Sequence, residues 1–434
     1  MPENFFELAE PRTEYHCIQA IQNLIGYDGR RNVIMKKLIP VIIASLVLLM
    51  VVPANAEQIV VEPGYIVEVF VTGLETINDL ILNKSGDLLV SETSEERVLI
   101  IDVLPNGSAG EIEEYATGIP DAEGVALDAA DVLYVSNSDT VFKVVEGMEI
   151  PFVAGFNDAE GLAIDQSGDL FVADDVSGGV RISKIDILED GSAGGITTFA
   201  IIPSGHAADI EFDGNGDLFV ANGQNQVWIV DILPDGMVYE IRPFIGDLSS
   251  PFALEFDNKG NLFVGGSNGD IWKVNSDGEV TQFGSGFAGV EGLAFDARGN
   301  LYASEYQAGR ISKIIKVYEA TIDIKPGSYP NSINCSNEKA VVTVAILTTG
   351  DFDATTVDHT TVTFEGASEI HVDKKTGVPQ RHEEDVDFDG DMDLVFHFRL
   401  GDTTLTCESV AGTLIGETYD GLPVQGTDSI RRLH

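Results

Sequence analysis

The chain has 434 residues, with 71 Asp or Glu against 25 Lys or Arg and a formal net charge of −46. That balance argues against nucleic acid as a partner, whose phosphates would be repelled, and favours solubility in salt or association with metal cations. The length suits one large domain with a smaller one, or a single all-β domain with an appendage.

Residues 1–34 show no clear periodicity and read as an upstream extension. Met35-Lys36-Lys37 is then followed by the apolar run "LIPVIIASLVLLMVV" and by "PANA". A basic start, an apolar middle and small residues at the end make a secretory signal peptide over residues 35–56, with cleavage after Ala56. A signal anchor with a cytoplasmic tail is the alternative. No second membrane-length run follows, so the mature chain is expected to carry no transmembrane segment and to be extracellular or associated with the cell envelope. Of the three cysteines, Cys17 precedes the cleavage point; Cys335 and Cys407 read as a disulfide or as buried free thiols.

From residue 80 onward one phrase recurs six times: "LILNKSGDLLVSE", "VALDAADVLYVSN", "LAIDQSGDLFVAD", "IEFDGNGDLFVAN", "LEFDNKGNLFVGG" and "LAFDARGNLYASE". Leucines 88, 133, 170, 218, 262 and 301 mark a period near 40 residues, which with short β segments indicates a propeller. In each repeat two apolar strands flank a tight turn of Asp or Asn and Gly, and a third strand alternates, as in "QVWIVD" and "RISKID". A fourth carries aromatic or branched residues, as in "IPFVAG" and "VTQFGSG". The sixth repeat lacks its fourth strand, and "YIVEVFVTG" from Tyr65 matches the missing piece. The expected fold is therefore an all-β, six-bladed β-propeller over residues 59–317, closed by an N-terminal strand. Such closure removes exposed sheet edges.

The repeat resembles that of the NHL and SMP-30/gluconolactonase-like propellers. These superfamilies include lactonases, lyases and binding scaffolds, so the resemblance implies the architecture more strongly than the chemistry. In a propeller the first strand of each blade lines the central channel. Five residues before each turn Asp or Asn stand Asn78, Glu123, Glu160, Ala208, Phe252 and Glu291. These give a channel mouth acidic on one side and apolar on the other. Three converging carboxylates repel unless protons or a cation compensate them, and Glu and Asn oxygens suit a hard divalent ion. The resemblance places Asn78, Glu123, Glu160 and Glu291 where gluconolactonase-like enzymes hold their metal, although the mixture of Glu, Asn and Asp typical there is here three Glu and one Asn. A second set, Glu92, Asn137, Asp174, Asn222, Gly266 and Glu305, follows the second strands and is expected to form an outer rim. His206 is the sole histidine of the repeats and the candidate general base, with Glu160 the second candidate catalytic group. The first reading is a secreted protein that binds a small molecule, carbohydrate or extracellular protein on the channel face without catalysis. The alternative is a divalent-metal-dependent hydrolase or lactonase.

A smaller β domain follows over residues 321–434. The blocks "IDIKPGSYPNSIN", "VAILTTGDFDATTV", "DVDFDGDMDLVFHF" and "GETYDGLPVQGTDSI" resemble a C-terminal module of secreted archaeal and bacterial proteins, which implies export. Asp385, Asp387, Asp389, Asp391 and Asp393, with Gly390 at the bend, match a calcium loop and predict structural Ca²⁺. Phe396 stands where an EF-hand has its bidentate Glu, so the loop is of a shorter kind. His371, His382 and His397 are too scattered in sequence to indicate a transition-metal site.

Overall fold

The structure, a computed structural model, describes residues 59–434 except Cys335 and His434. The expected upstream extension (1–34) and signal peptide (35–56) fall outside the described residues. Apart from two three-residue 3-10 turns, every regular element described is a β-strand. No helix among the described residues is long and apolar enough to cross a membrane.

Each of the first four repeats folds as a four-stranded antiparallel sheet with its strands side by side in chain order. The third consists of Ala159–Ile164, Leu170–Val176, Gly179–Ile187 and Ala193–Ile202. Its first turn explains the recurring phrase. Asp165 Oδ1 accepts the backbone N–H groups of Ser167 and Asp169, each at 2.9 Å, and Gly168 takes a φ of +87°, which a residue without Cβ adopts freely. Asp128, Asp213, Asp257 and Asp296 fold back in the same way.

The second strand of each sheet is apolar on both faces because it serves two neighbours. Leu170 and Val172 pack with Tyr134 and Val141 of the second sheet. Phe171 and Ala173 point the other way, toward Ile210, Leu218 and Trp228 of the fourth. Period-two alternation thus feeds two cores from one strand. Six such clusters join the first sheet to the second and so on to the sixth, and the sixth to the first.

The sixth sheet takes Val290–Phe295, Leu301–Glu305 and Arg310–Lys316 from the end of the repeats and Tyr65–Thr72 from their beginning, with Val67 opposite Ile314. The sequence predicted this exchange. It did not predict that Val60–Val61 would add a fifth strand to the fifth sheet, against Gly284 and Ser285.

Beyond residue 317 the pattern changes. One sheet is ordered Tyr318–Glu319, Pro423–Ser429, Ala411–Thr418, Val357–Phe364, Ala367–Ser368, and another Ile322–Ile324, Val341–Ile346, Asp393–Arg399, Glu383–Glu384. Val362, Phe364 and Leu414 of the first share one core with Ile324, Val344, Phe396 and Phe398 of the second. Cys407 is disulfide-bonded; Cys335 lies outside the described residues.

Candidate functional site

Asn78, Glu123, Glu160, Ala208, Phe252 and Glu291, on or just ahead of the first strands of six different sheets, line one cavity together with Asp79, Gly124, Gly161 and Asp209. Two local devices bring them there. Serines on second strands reach across to the next sheet: Ser91 Oγ donates to the Glu123 carbonyl at 2.5 Å, Ser136 Oγ to that of Glu160 at 2.5 Å, and Ser304 Oγ to that of Asn78 at 2.6 Å. The glycines let the first strands crowd together. A Cβ on Gly124 would stand 2.1 Å from the Glu160 carbonyl oxygen, and one on Gly161 2.8 Å from Asp209 Cα. Glutamate precedes glycine because the bare backbone can close on its neighbour while the preceding carboxylate turns into the cavity.

The cavity raises the affinity of these carboxylates for protons. Burial, with Asp158, Asp121 and Glu291 nearby, pushes Glu123 up to about 8. Burial, with Glu123, Asp158, Asp175 and Glu291, pushes Glu160 up to about 10, and burial alone takes Glu291 to about 7. Glu160 is therefore a neutral acid at neutral pH. Glu123 Oε2 is buried without a hydrogen-bond partner, and carboxylates with an amide oxygen suit a hard divalent ion. The donor chemistry thus fits a cation. Among the described residues, the groups of three or more His, Cys, Asp or Glu whose ligand atoms gather within 4.8 Å are His371, His382 and His397, and Asp385, Asp387 and Asp393.

His206 is held beside this cavity. Its Nδ1 lies 3.2 Å from Asp175 Oδ2, to which it is hydrogen-bonded, and 3.3 Å from Glu160 Oε1. Its ring meets Phe252 edge-on at 5.6 Å, and the Gly223 backbone leaves no room for a side chain against it. Asp175 also accepts the Ala207 N–H. With Nδ1 engaged by a carboxylate, Nε2 is the nitrogen left to exchange protons. The sequence found His206 and Glu160 but not Asp175, which follows the conspicuous Asp174.

The expected outer rim does not form. Glu92, Asp174 and Glu305 are fully buried and bind Arg97, Arg181 and Arg310. They also accept backbone N–H groups from the segments entering the first strands, at Glu75, at Asn157 and Asp158, and at Ala288. Asn137 and Asn222 turn their Oδ1 atoms onto the following turns. These side chains are committed to the fold. Below the mouth, Asp79, Asp209, Glu211 and Glu255 line a deeper cavity that the sequence did not single out. Burial holds all four well above the usual carboxylate range.

In the C-terminal module the carboxylates of Asp385, Asp387 and Asp393 come within 4.8 Å of one another. Asp393 is buried and accepts the N–H groups of Thr348 and Val386. Asp389 and Asp391 stay outside that trio; Asp389 Oδ1 accepts the Asp391 N–H. Desolvation, then a hydrogen bond with Asp389 and the charges of Asp389, Asp393 and Asp387, raises Asp391 to about 6. The three histidines correct the sequence reading. His371, His382 and His397 meet, with ligand nitrogens within 4.8 Å of one another. Desolvation, then His371, pulls the His397 imidazole below its ordinary value.

No family model matches the chain, and no curated protein matches it. Among solved structures, a gluconolactonase from Xanthomonas campestris is 14% identical, with a TM-score of 0.51, over 61% of this chain and 96% of that one. The chain therefore shares the β-rich fold of gluconolactonase-type proteins at low identity. A virginiamycin B lyase from Staphylococcus aureus is 17% identical (TM-score 0.42, 59% of this chain and 85% of that one). An auxiliary nutrient binding protein from Bacteroides thetaiotaomicron is 12% identical (TM-score 0.49, 58% and 76%).

Proposed function

We propose that the six sheets close into a propeller over residues 59–317 and that the protein is an exported hydrolase acting on a small lactone or ester at the channel mouth. The observation that carries the activity is the convergence of Glu160, Glu123, Glu291 and Asn78 on one cavity, with the His206–Asp175 pair against it. Closure is supported by the cluster shared between the sixth and first sheets and by the Tyr65–Thr72 strand.

In this reading His206 Nε2 accepts a proton from the attacking water while Asp175 holds Nδ1 and steadies the imidazolium. Water's oxygen bonds to the acyl carbon, the bond to the leaving oxygen breaks, and Glu160, protonated at neutral pH, donates to that oxygen. Ala208 and Phe252 face the carbon skeleton of the substrate. Glu123, Glu291 and Asn78 are the side chains that would hold a divalent ion, which when bound polarises the carbonyl. Residues 321–434 form a β module whose Asp385–Asp393 loop takes a structural Ca²⁺, and the segment 35–56 directs export.

The test uses the purified full chain, stripped of metal, then supplied with Ca²⁺, Mn²⁺ or Zn²⁺ and assayed against lactones and esters. Turnover is expected in the wild type and is expected to fall about 10²–10⁴-fold in Glu160→Gln and in His206→Ala. Ligand binding without turnover across the panel would mark the propeller as a receptor for a small molecule, carbohydrate or extracellular protein instead.

A further inference from the structure

The hairpin that carries the Asp loop has a second cluster on its stem. His382 precedes the strand Glu383–Glu384, and His397 lies on Asp393–Arg399, the strand paired with it. The Val395 N–H donates to the His382 carbonyl, and the Ile370 N–H donates to the His397 carbonyl, which brings the His371 segment alongside. Three backbone segments laid side by side thus present one imidazole each. The His371 and His397 rings stack at 4.1 Å, and His382 stands edge-on to them at 5.4 and 5.7 Å.

Two ring nitrogens in this cluster, His382 Nε2 and His397 Nδ1, are buried with no hydrogen-bond partner. A buried nitrogen left without a partner is costly and uncommon in a folded chain, and packing alone does not account for two of them in one cluster. No lysine, arginine or hydroxyl is hydrogen-bonded to either one. Glu369, itself buried, is already used: its Oε1 accepts the His371 N–H and its Oε2 the His397 N–H. That carboxylate fixes the backbone of two of the three histidines and places a negative charge 3.9 Å from His397 Nδ1.

We infer that His371, His382 and His397 form a binding site for a first-row transition-metal ion of the zinc class, separate from the channel mouth and from the Asp loop. Three neutral imidazoles select Zn²⁺, Ni²⁺ or Cu²⁺ over Ca²⁺ and Mg²⁺, which take oxygen. Three protein ligands leave a fourth tetrahedral position for water or an outside donor. Glu369 acts from behind the ligands, compensating the ion's charge and holding His371 and His397 in place. The hairpin therefore carries oxygen donors at its tip and, with the His371 segment beside its stem, nitrogen donors farther along, which separates two kinds of cation.

The experiment titrates the metal-stripped full chain with Zn²⁺ against a chromophoric chelator, and with Co²⁺ followed by its visible absorption. One ion per chain is expected at this site, with the intense bands of tetrahedral cobalt. His371→Ala, an exposed position whose loss leaves the core alone, and His382→Ala should each weaken Zn²⁺ binding by about 100-fold or more. Circular dichroism of the metal-free variants checks that each is folded. Asp387→Ala and Glu160→Gln should leave the cobalt spectrum unchanged. Absence of the tetrahedral cobalt bands in the wild type, or bands of undiminished intensity in both histidine variants, would overturn the inference. So would binding that is lost in Asp387→Ala or Glu160→Gln.

Discussion

Gly124 carries more of the mouth's geometry than any charged residue around it. A methyl group there would meet the Glu160 carbonyl at 2.1 Å, and that carbonyl is pinned by Ser136, so neither partner can give way. Gly124→Ala is expected to destabilise the chain by about 1–3 kcal/mol, read from the urea midpoint. The carboxylates at the mouth act on stability in a direction opposite to most surface acids. Glu123 rises from 4.5 to about 8 in the folded chain. The folded form therefore holds a proton that the unfolded form releases, and the stability this gives is present below about pH 4.5 and lost as pH rises through about 8. Glu123→Gln removes the titration. Its stability relative to the wild type in chelator is expected to increase from about pH 5 to about pH 8 and then level off; a flat difference would contradict the raised value.

At the scale of elements, the sequence exposed whatever was local and periodic. Turn aspartates, alternating strands and the equivalence of Glu123, Glu160 and Glu291 all repeat at a fixed offset, and strand equivalence becomes spatial convergence once the first strands line one cavity. The histidine cluster left no such signal, because lateral pairing of segments around residues 370, 382 and 397 creates it. Glu211 and Glu255 also escaped notice, since a polar residue in an alternating strand reads as solvent-facing until the inner cavity is known. The second-strand acids were visible but misjudged: their arginine partners sit only five to seven residues away, and such a pair closes on itself. The Asp loop belongs to this scale too. Ca²⁺ is expected to raise the melting temperature of the full chain, by a stabilisation of about 2.7 kcal/mol at 100 times its dissociation constant. Asp387→Ala should diminish that rise. An equal rise in the variant would place the ion elsewhere.

For the molecule as a whole, the exchange of strands at the sixth sheet decides when the six repeats can finish folding. Tyr65–Thr72 is made early, yet its partner Arg310–Lys316 follows about 250 residues later. At ribosomal speeds of about 5–20 residues per second, the two are separated by roughly ten to fifty seconds. During that interval the first-made strand has no ladder to join, and the contact that completes the sheet is among the longest-range in the chain, the slowest kind to form. Vectorial synthesis can assemble the middle sheets one after another but not this last one. If the chain is exported as proposed, a polypeptide threaded through a channel before it folds loses nothing by the delay, because Tyr65–Thr72 and Arg310–Lys316 pair only after both have crossed.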